Sequence, residues 1–186
     1  MGRRIVLATN CEFGQANVFL AVGHALQALD SSLEIHFVSF PPLAPAVSAA
    51  SKYAAACFPG AQPWAFHELE GTTYYDALMA IEPDHEGISS AIDKPPSFFT
   101  SLAVSKLLNT FVVPWSGTQF MQIFQSFTQI VDKLQPDLVV VDCLSPPMLT
   151  ACRYHKMKHV ILSPNTIKDF STPIQPWGAM LWKYPS

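Results

Sequence analysis

Short apolar runs alternate along this chain with longer stretches of helical periodicity. Arg4 to Thr9 (RIVLAT) is apolar and β-branched without polar alternation, the pattern of a parallel strand covered on both faces. From Ala16 the spacing changes, and Val18, Val22, Leu26 and Leu29 recur at helical intervals up to Asp30. Glu34 to Phe40 (EIHFVSF) reads as a second strand ended by Pro41-Pro42. Val47 to Cys57 follows as an alanine-rich helix, and Trp64 to Leu69 (WAFHEL) as a third strand. Phe120, Ile123, Phe124, Phe127, Ile130, Val131 and Leu134 form one helical stripe, which predicts a long helix over residues 116–135 with Ser116 near its N-cap. Leu138 to Val141 is the strongest strand signal in the chain. Ser145-Pro146 then suits the cap and first position of a helix through Tyr154, and His159 to Leu162 (HVIL) is a further buried strand closing on Ser163-Pro164-Asn165.

Strands alternating with helices predict βαβ units, hence an α/β fold built on a parallel sheet. No internal repeat is visible. The middle, from Glu70 to about Pro114, holds Tyr74-Tyr75, the polar stretch EPDHEG, Pro95-Pro96 and Phe98-Phe99. It reads as two helices joined by loops, its aromatics serving either as ordinary core or as the lining of a cleft. The tail QPWGAMLWKYPS ends on an aromatic segment with no cap and looks interrupted. The expectation is one incomplete domain over residues 1–186.

Composition narrows the partners. The 186 residues are 49% hydrophobic and 13% charged, enough apolar material for one domain with a sizeable core. A net charge of -3, with Lys and Arg scattered, offers no basic face and argues against nucleic acid. No apolar stretch approaches the roughly 20 residues needed to cross a bilayer, and MGRRIVLATN has no signal-peptide core. This predicts a cytoplasmic protein and leaves a peripheral membrane contact open. The four cysteines, Cys11, Cys57, Cys143 and Cys152, lie far apart without metal spacing and are expected to be buried free thiols.

Several familiar sites are excluded after the first strand. Gly14 stands alone until Gly23, so there is no dinucleotide fingerprint; a P-loop and a serine-hydrolase elbow are also missing. Cys143 follows a strand and could serve as a nucleophile with His155 or His159 as base, although no spacing supports it. What remains is a pair of polar strand ends. The first loop supplies Glu12, Gly14, Gln15 and Asn17, and the strand PDLVVVD supplies Asp142. In a parallel sheet both ends lie at the carboxyl edge and can face one cleft, unless Asp142 simply caps the following turn.

The residues FGQANVFLAVGHAL and PDLVVVDCLSPPMLTACRYHKMKHVILSPN resemble two stretches of the UDP-dependent glycosyltransferases, and the tail GAMLWKYPS resembles their divergent fungal branch. Together they cover 53 of the 186 residues. The resemblance implies a Rossmann-like parallel sheet with flanking helices. It also implies the N-terminal, acceptor-binding half of a two-domain GT-B enzyme, truncated before the domain that binds the UDP-sugar. It implies transfer of a hexosyl group to a small lipophilic acceptor, with no metal and no cofactor beyond the UDP-sugar donor. On that basis Phe13, Gly14, Asn17 and Asn165 are candidate substrate-binding residues.

In many members of the family a histidine after the first strand deprotonates the acceptor hydroxyl and an aspartate at the later strand end orients it. Here Gln15 stands where that histidine is expected, Val18 replaces a proline, and Asp142 is the matching aspartate. A primary amide orients a hydroxyl but has no useful basicity. His24, nine residues on, lies on the opposite side of the helix at about 100° per residue. Glu12 is the nearest alternative base, with Asp142 another, since burial raises a carboxyl pKa toward a useful range; the plainer reading of Glu12 is an exposed loop charge. The alternative function is a non-catalytic α/β ligand-binding or interaction module derived from such an enzyme.

Overall fold

The computed structural model describes residues 3–81 and 112–164. Strand β1 (Arg4–Ala8) leads into helix α1 (Phe13–Leu29), then β2 (Glu34–Ser39), a 3-10 turn (Pro41–Leu43), α2 (Ala44–Cys57), β3 (Ala65–Glu68) and α3 (Tyr74–Ile81). After the undescribed stretch come α4 (Gly117–Leu134), β4 (Leu138–Asp142), α5 (Pro146–Tyr154) and β5 (His159–Leu162). The five strands form one sheet in the order β3-β2-β1-β4-β5, and every pairing is parallel.

Alternate residues of β1, β2 and β4 feed two cores. Val6, Ala8, Val38, Val139 and Val141 face Ala77 of α3, Ile123, Phe127 and Val131 of α4, and Met148 and Ala151 of α5. Ile5, Leu7, Ile35, Phe37 and Val140 face Ala16 and Phe19 of α1 and Val47 and Ala54 of α2. Burial on both faces explains why β1 and β4 read as continuous apolar runs, whereas β5, expected to be buried, is an edge strand that leaves Val160 and Ile161 exposed. Phe19 and Phe127 are fully buried on opposite faces, each contributing about 1.5–3 kcal/mol by the removal of its side chain from water.

The buried stripe of α1 differs from the sequence expectation. Ala16, Phe19, Gly23 and Gln27 point inward, whereas Leu29 is exposed. The reason lies in Trp64. Gly23 brings α1 so close that an added Cβ would stand 3.1 Å from the indole, and the Trp64 Nε1–H donates to Gln27 Oε1 at 2.7 Å. The Gln27 amide in turn donates to the Gln62 carbonyl at 2.7 Å. A satisfied buried amide thus takes a place that hydrophobic periodicity assigned to leucine.

At the amino edge Arg4 clasps three elements. Its main-chain N–H donates to Asp137 at 2.7 Å, its guanidinium pairs with Glu34 at 3.1 Å and also donates to the Leu134 carbonyl at the end of α4. The ion pair is about a third exposed on each side, so it contributes less than about 1 kcal/mol. Among the described residues, no helix is long and apolar enough to cross a membrane. All four cysteines are free, and Cys57 is exposed at the end of α2 rather than buried. The tail from Gln175 and most of the middle segment lie outside the described residues.

Candidate functional site at the carboxyl edge

Strands β1 and β4 are neighbours in register, Ala8 beside Val141, but the chain leaves them over opposite faces. From β1 it passes to α1 and on to β2, and from β4 it passes to α5 and on to β5, on the other side of the sheet. The carboxyl ends of the two strands therefore part around a crevice, the place where open α/β sheets bind ligands. The first loop and the tip of β4 flank it.

Hydrogen bonds join these two segments. Thr9 Oγ1 donates to Asp142 Oδ2 at 3.0 Å, and the Leu144 N–H donates to Asp142 Oδ1 at 2.9 Å. Asn10 Nδ2 donates to the Leu144 carbonyl at 2.8 Å and, at a longer 3.4 Å, to Gln15 Oε1. Thr9, Asn10 and Asp142 are all 0% exposed. Asp142 therefore does cap the turn that follows it, and its second oxygen is held by the first loop as well. Asn10, which links Gln15 to the Asp142 turn, escaped sequence reasoning. Its signal was a polar residue closing an apolar strand, with no motif to single it out.

Glu12 is not a free surface charge. It sits at the N-cap position of α1 without bonding the helix through its side chain. Instead Oε1 accepts from the Tyr75 N–H at 3.1 Å and from the Cys11 thiol at 3.8 Å. Oε2 is buried with no partner. Burial pushes the Glu12 carboxyl above its ordinary value, against the pull of its hydrogen bonds, and the charge of Asp142 pushes in the same direction. Asp142 is also raised by burial, opposed by the Leu144 and Asn10 N–H groups, the Thr9 hydroxyl and the Cys143 thiol. Two carboxyl groups thus sense one another at the crevice, one with both oxygens bonded and one with an oxygen to spare.

The other candidates divide. Gln15 is half-buried beside Asn10, while Phe13, Gly14 and Asn17 are exposed on the first turns of α1. Tyr75, also exposed, lies on the first turn of α3 after β3, and its main-chain N–H reaches Glu12. Asn165 lies outside the described residues. Histidine 24 stacks between Tyr53 and Phe58 where α1 meets α2, away from the crevice. The thiol reading of Cys143 fails on geometry: Cys143 bonds Ser163 at 3.0 Å at the carboxyl edge, whereas His155 ends α5 and His159 begins β5 at the amino edge. Burial also raises the Cys143 thiol, which leaves it a poor nucleophile. Among the described residues, no group of three or more His, Cys, Asp or Glu side chains is placed to hold a metal ion.

Comparison with known proteins agrees with this architecture. No family model matches the chain. A curated relative, glycosyltransferase sdnJ of Sordaria araneosa, is 26% identical over 98% of this chain, which spans 36% of the relative's length. Among solved structures, the Streptomyces sp. SF2575 glycosyltransferase SsfS6 superposes with a TM-score of 0.57 at 14% identity, over 87% of this chain and 39% of that one. Glycosyltransferase VinC, solved with DTDP, gives 0.55 at 14% identity over 95% and 36%. The parallel sheet, the crevice between β1 and β4 and these likenesses together make this a glycosyltransferase-like chain, with the Rossmann-like fold of an N-terminal GT-B half.

Proposed function

We propose that the chain is the acceptor-side part of a cytoplasmic UDP-sugar-dependent hexosyltransferase, acting on a small lipophilic acceptor that bears a hydroxyl. The observation that carries this reading is Glu12 at the switch point, its Oε2 buried without a partner and its carboxyl raised by burial. In the proposed reaction the acceptor oxygen attacks the anomeric carbon as the bond from that carbon to the diphosphate breaks. The acceptor proton passes to Glu12 Oε2, and the nucleoside diphosphate leaves with the electron pair.

Each neighbour has a task in this scheme. Burial does most to raise the proton affinity of Glu12, and Asp142, held by Thr9 and Leu144, adds a smaller push in the same direction. Gln15, steadied by Asn10, orients the hydroxyl without taking its proton. Phe13, next to Glu12 in the chain, and Tyr75, whose N–H bonds it, both expose apolar rings for an acceptor. The nucleotide sugar is a substrate bound by the second domain of a GT-B pair, and bringing it to the crevice supplies the proximity that the reaction needs.

Gln15 favours a second reading, in which the crevice binds a ligand and transfers nothing. A hybrid in which this chain replaces the matching part of the Sordaria protein separates the two. Transfer that falls at least about a hundredfold in kcat on Glu12→Gln, the scale of lost general-base assistance, supports the enzyme. Acceptor binding by calorimetry with no transfer in the hybrid supports the binding module.

A further inference from the structure

At the far side of the sheet, β2 and β3 carry a histidine pair that the carboxyl-edge site does not use. His36 Nδ1 and His67 Nε2 stand 2.9 Å apart, and the two rings stack with centroids 5.1 Å apart. The register places His36 opposite Ala65 and His67 opposite Val38, so the two side chains are diagonal neighbours on one face. Both are half-buried. We propose that His36 and His67 form an acid-operated latch on edge strand β3, which holds while their facing nitrogens share a single proton and opens once each carries its own.

The argument is one of proton counting. A nitrogen-to-nitrogen hydrogen bond needs a donor on one ring and a lone pair on the other. One extra proton can sit on an outer nitrogen and leave the contact in place. A second occupies the remaining facing lone pair, so two N–H groups and two positive rings meet at about 3 Å, and the bond is lost. The pair therefore titrates in two coupled steps, and the latch follows the second.

The surrounding charges sharpen the step. Burial lowers both rings below the ordinary histidine value, and His36 is pushed further down by His67 and then by Arg4 of β1, against the opposing pull of Glu34 on its own strand. Lys133 of α4 and Glu68 share with His67 a cleft between β3 and the last turns of α4. Glu34 is already paired with Arg4. Strand β3 is four residues long and bonded on one side to β2, and its start is anchored by Trp64, whose main-chain N–H donates to Ser51 Oγ at 2.9 Å and whose indole donates to Gln27. Its end is secured separately, by the Leu69 N–H to the Ser39 carbonyl and the Glu70 N–H to Ser126 Oγ, both at 2.9 Å. Acid thus loosens the body of β3, residues 65–68, between two anchored ends.

The sign follows from linkage. The folded-state affinity of the pair for protons is depressed, so the stability it contributes is full above the unfolded histidine value of about 6.5 and is lost as pH falls through the folded-state steps. The test is amide exchange by NMR between about pH 7.5 and pH 5, corrected for intrinsic rates, across the range where histidine titrates. Protection of the β3 amides should fall at least about tenfold more than that of β1 and β4. His67→Gln and, separately, His36→Gln should abolish the difference. Equal loss in all three strands, or a difference that survives both substitutions, overturns the proposal. Should either variant misfold at neutral pH, imidazole titration of the parent protein decides. Two separated steps for this pair support the latch, and one ordinary step for each ring overturns it.

Discussion

The Thr9 hydroxyl donates to Asp142 Oδ2 at 3.0 Å, tying together residues 133 positions apart at the join of β1 and β4. Neither side chain reaches solvent. Thr9→Val keeps the shape of the side chain and removes the donor, which leaves a buried carboxyl oxygen short of a partner. The expected loss is about 1–3 kcal/mol, read as a lower urea midpoint with an unchanged slope. Thr9→Ser, which restores the donor, should recover most of it. A valine variant as stable as the parent would show that the carboxyl does not need this bond.

Glu12 should destabilise the fold that it serves. Its folded-state pKa is raised by burial, so the folded chain binds this proton more tightly than the unfolded chain. The resulting stability is full below the unfolded carboxyl value and is lost as pH rises through the folded one. Glu12→Gln should therefore raise the Tm near neutral pH and leave it almost unchanged in acid, where the parent carboxyl is already neutral. Each kcal/mol gained corresponds to about 2–4 °C for a chain of this size. In the active hybrid, transfer by the parent should fall as pH drops through the raised Glu12 value, because only the ionised carboxyl accepts a proton.

Gly71 admits no side chain. Its φ is +136°, and an added Cβ would lie 2.7 Å from Cγ1 of fully buried Ile123. Gly71→Ala should cost about 1–3 kcal/mol through combined backbone strain and overpacking. Denaturant titration gives the figure, and repeating Gly71→Ala in an Ile123→Ala background, which removes the clashing Cγ1, separates the two causes, because there the substitution should cost only the strain part.

Ser116 and Gln119 cap α4 reciprocally, each side chain bonding the other's main-chain N–H at 3.3 and 2.9 Å respectively. Ser116→Ala should cost about 1 kcal/mol and Ser116→Asp much less, since aspartate caps equally well. Thermal unfolding checks both; an alanine variant with an unchanged Tm would mean that the cap is redundant with the Trp115 indole bond to the Thr72 carbonyl beside it.

The regular elements were legible because each announces itself by periodicity. RIVLAT, EIHFVSF, LVVV and HVIL all became strands, and the Phe120-to-Leu134 stripe with Ser116 before it became a capped helix. Alpha1 shows the limit of such reading. Its apolar residues are spread around the helix, so spacing alone chose Val18 and Leu29, whereas the close approach of Trp64 selected Gly23 and Gln27. Polar strand ends pointed to the crevice, yet their bonding partners were not readable. Asn10 joins loops far apart in the chain, and the hold on Glu12 comes from the main chain of Tyr75. Backbone donors leave no trace in side-chain identity.

The strand order also dictates a schedule. Beta1 lies at the middle of the sheet, yet only one of its two neighbours is encoded nearby. During synthesis β1, β2 and β3 emerge within the first 68 residues, while β4 is not complete until Asp142. A nascent chain of intermediate length must therefore carry β1 with one flank bare, an aggregation-prone edge that a chaperone or rapid elongation has to cover. Whatever chemistry the crevice performs is among the last features of the described chain to come into being.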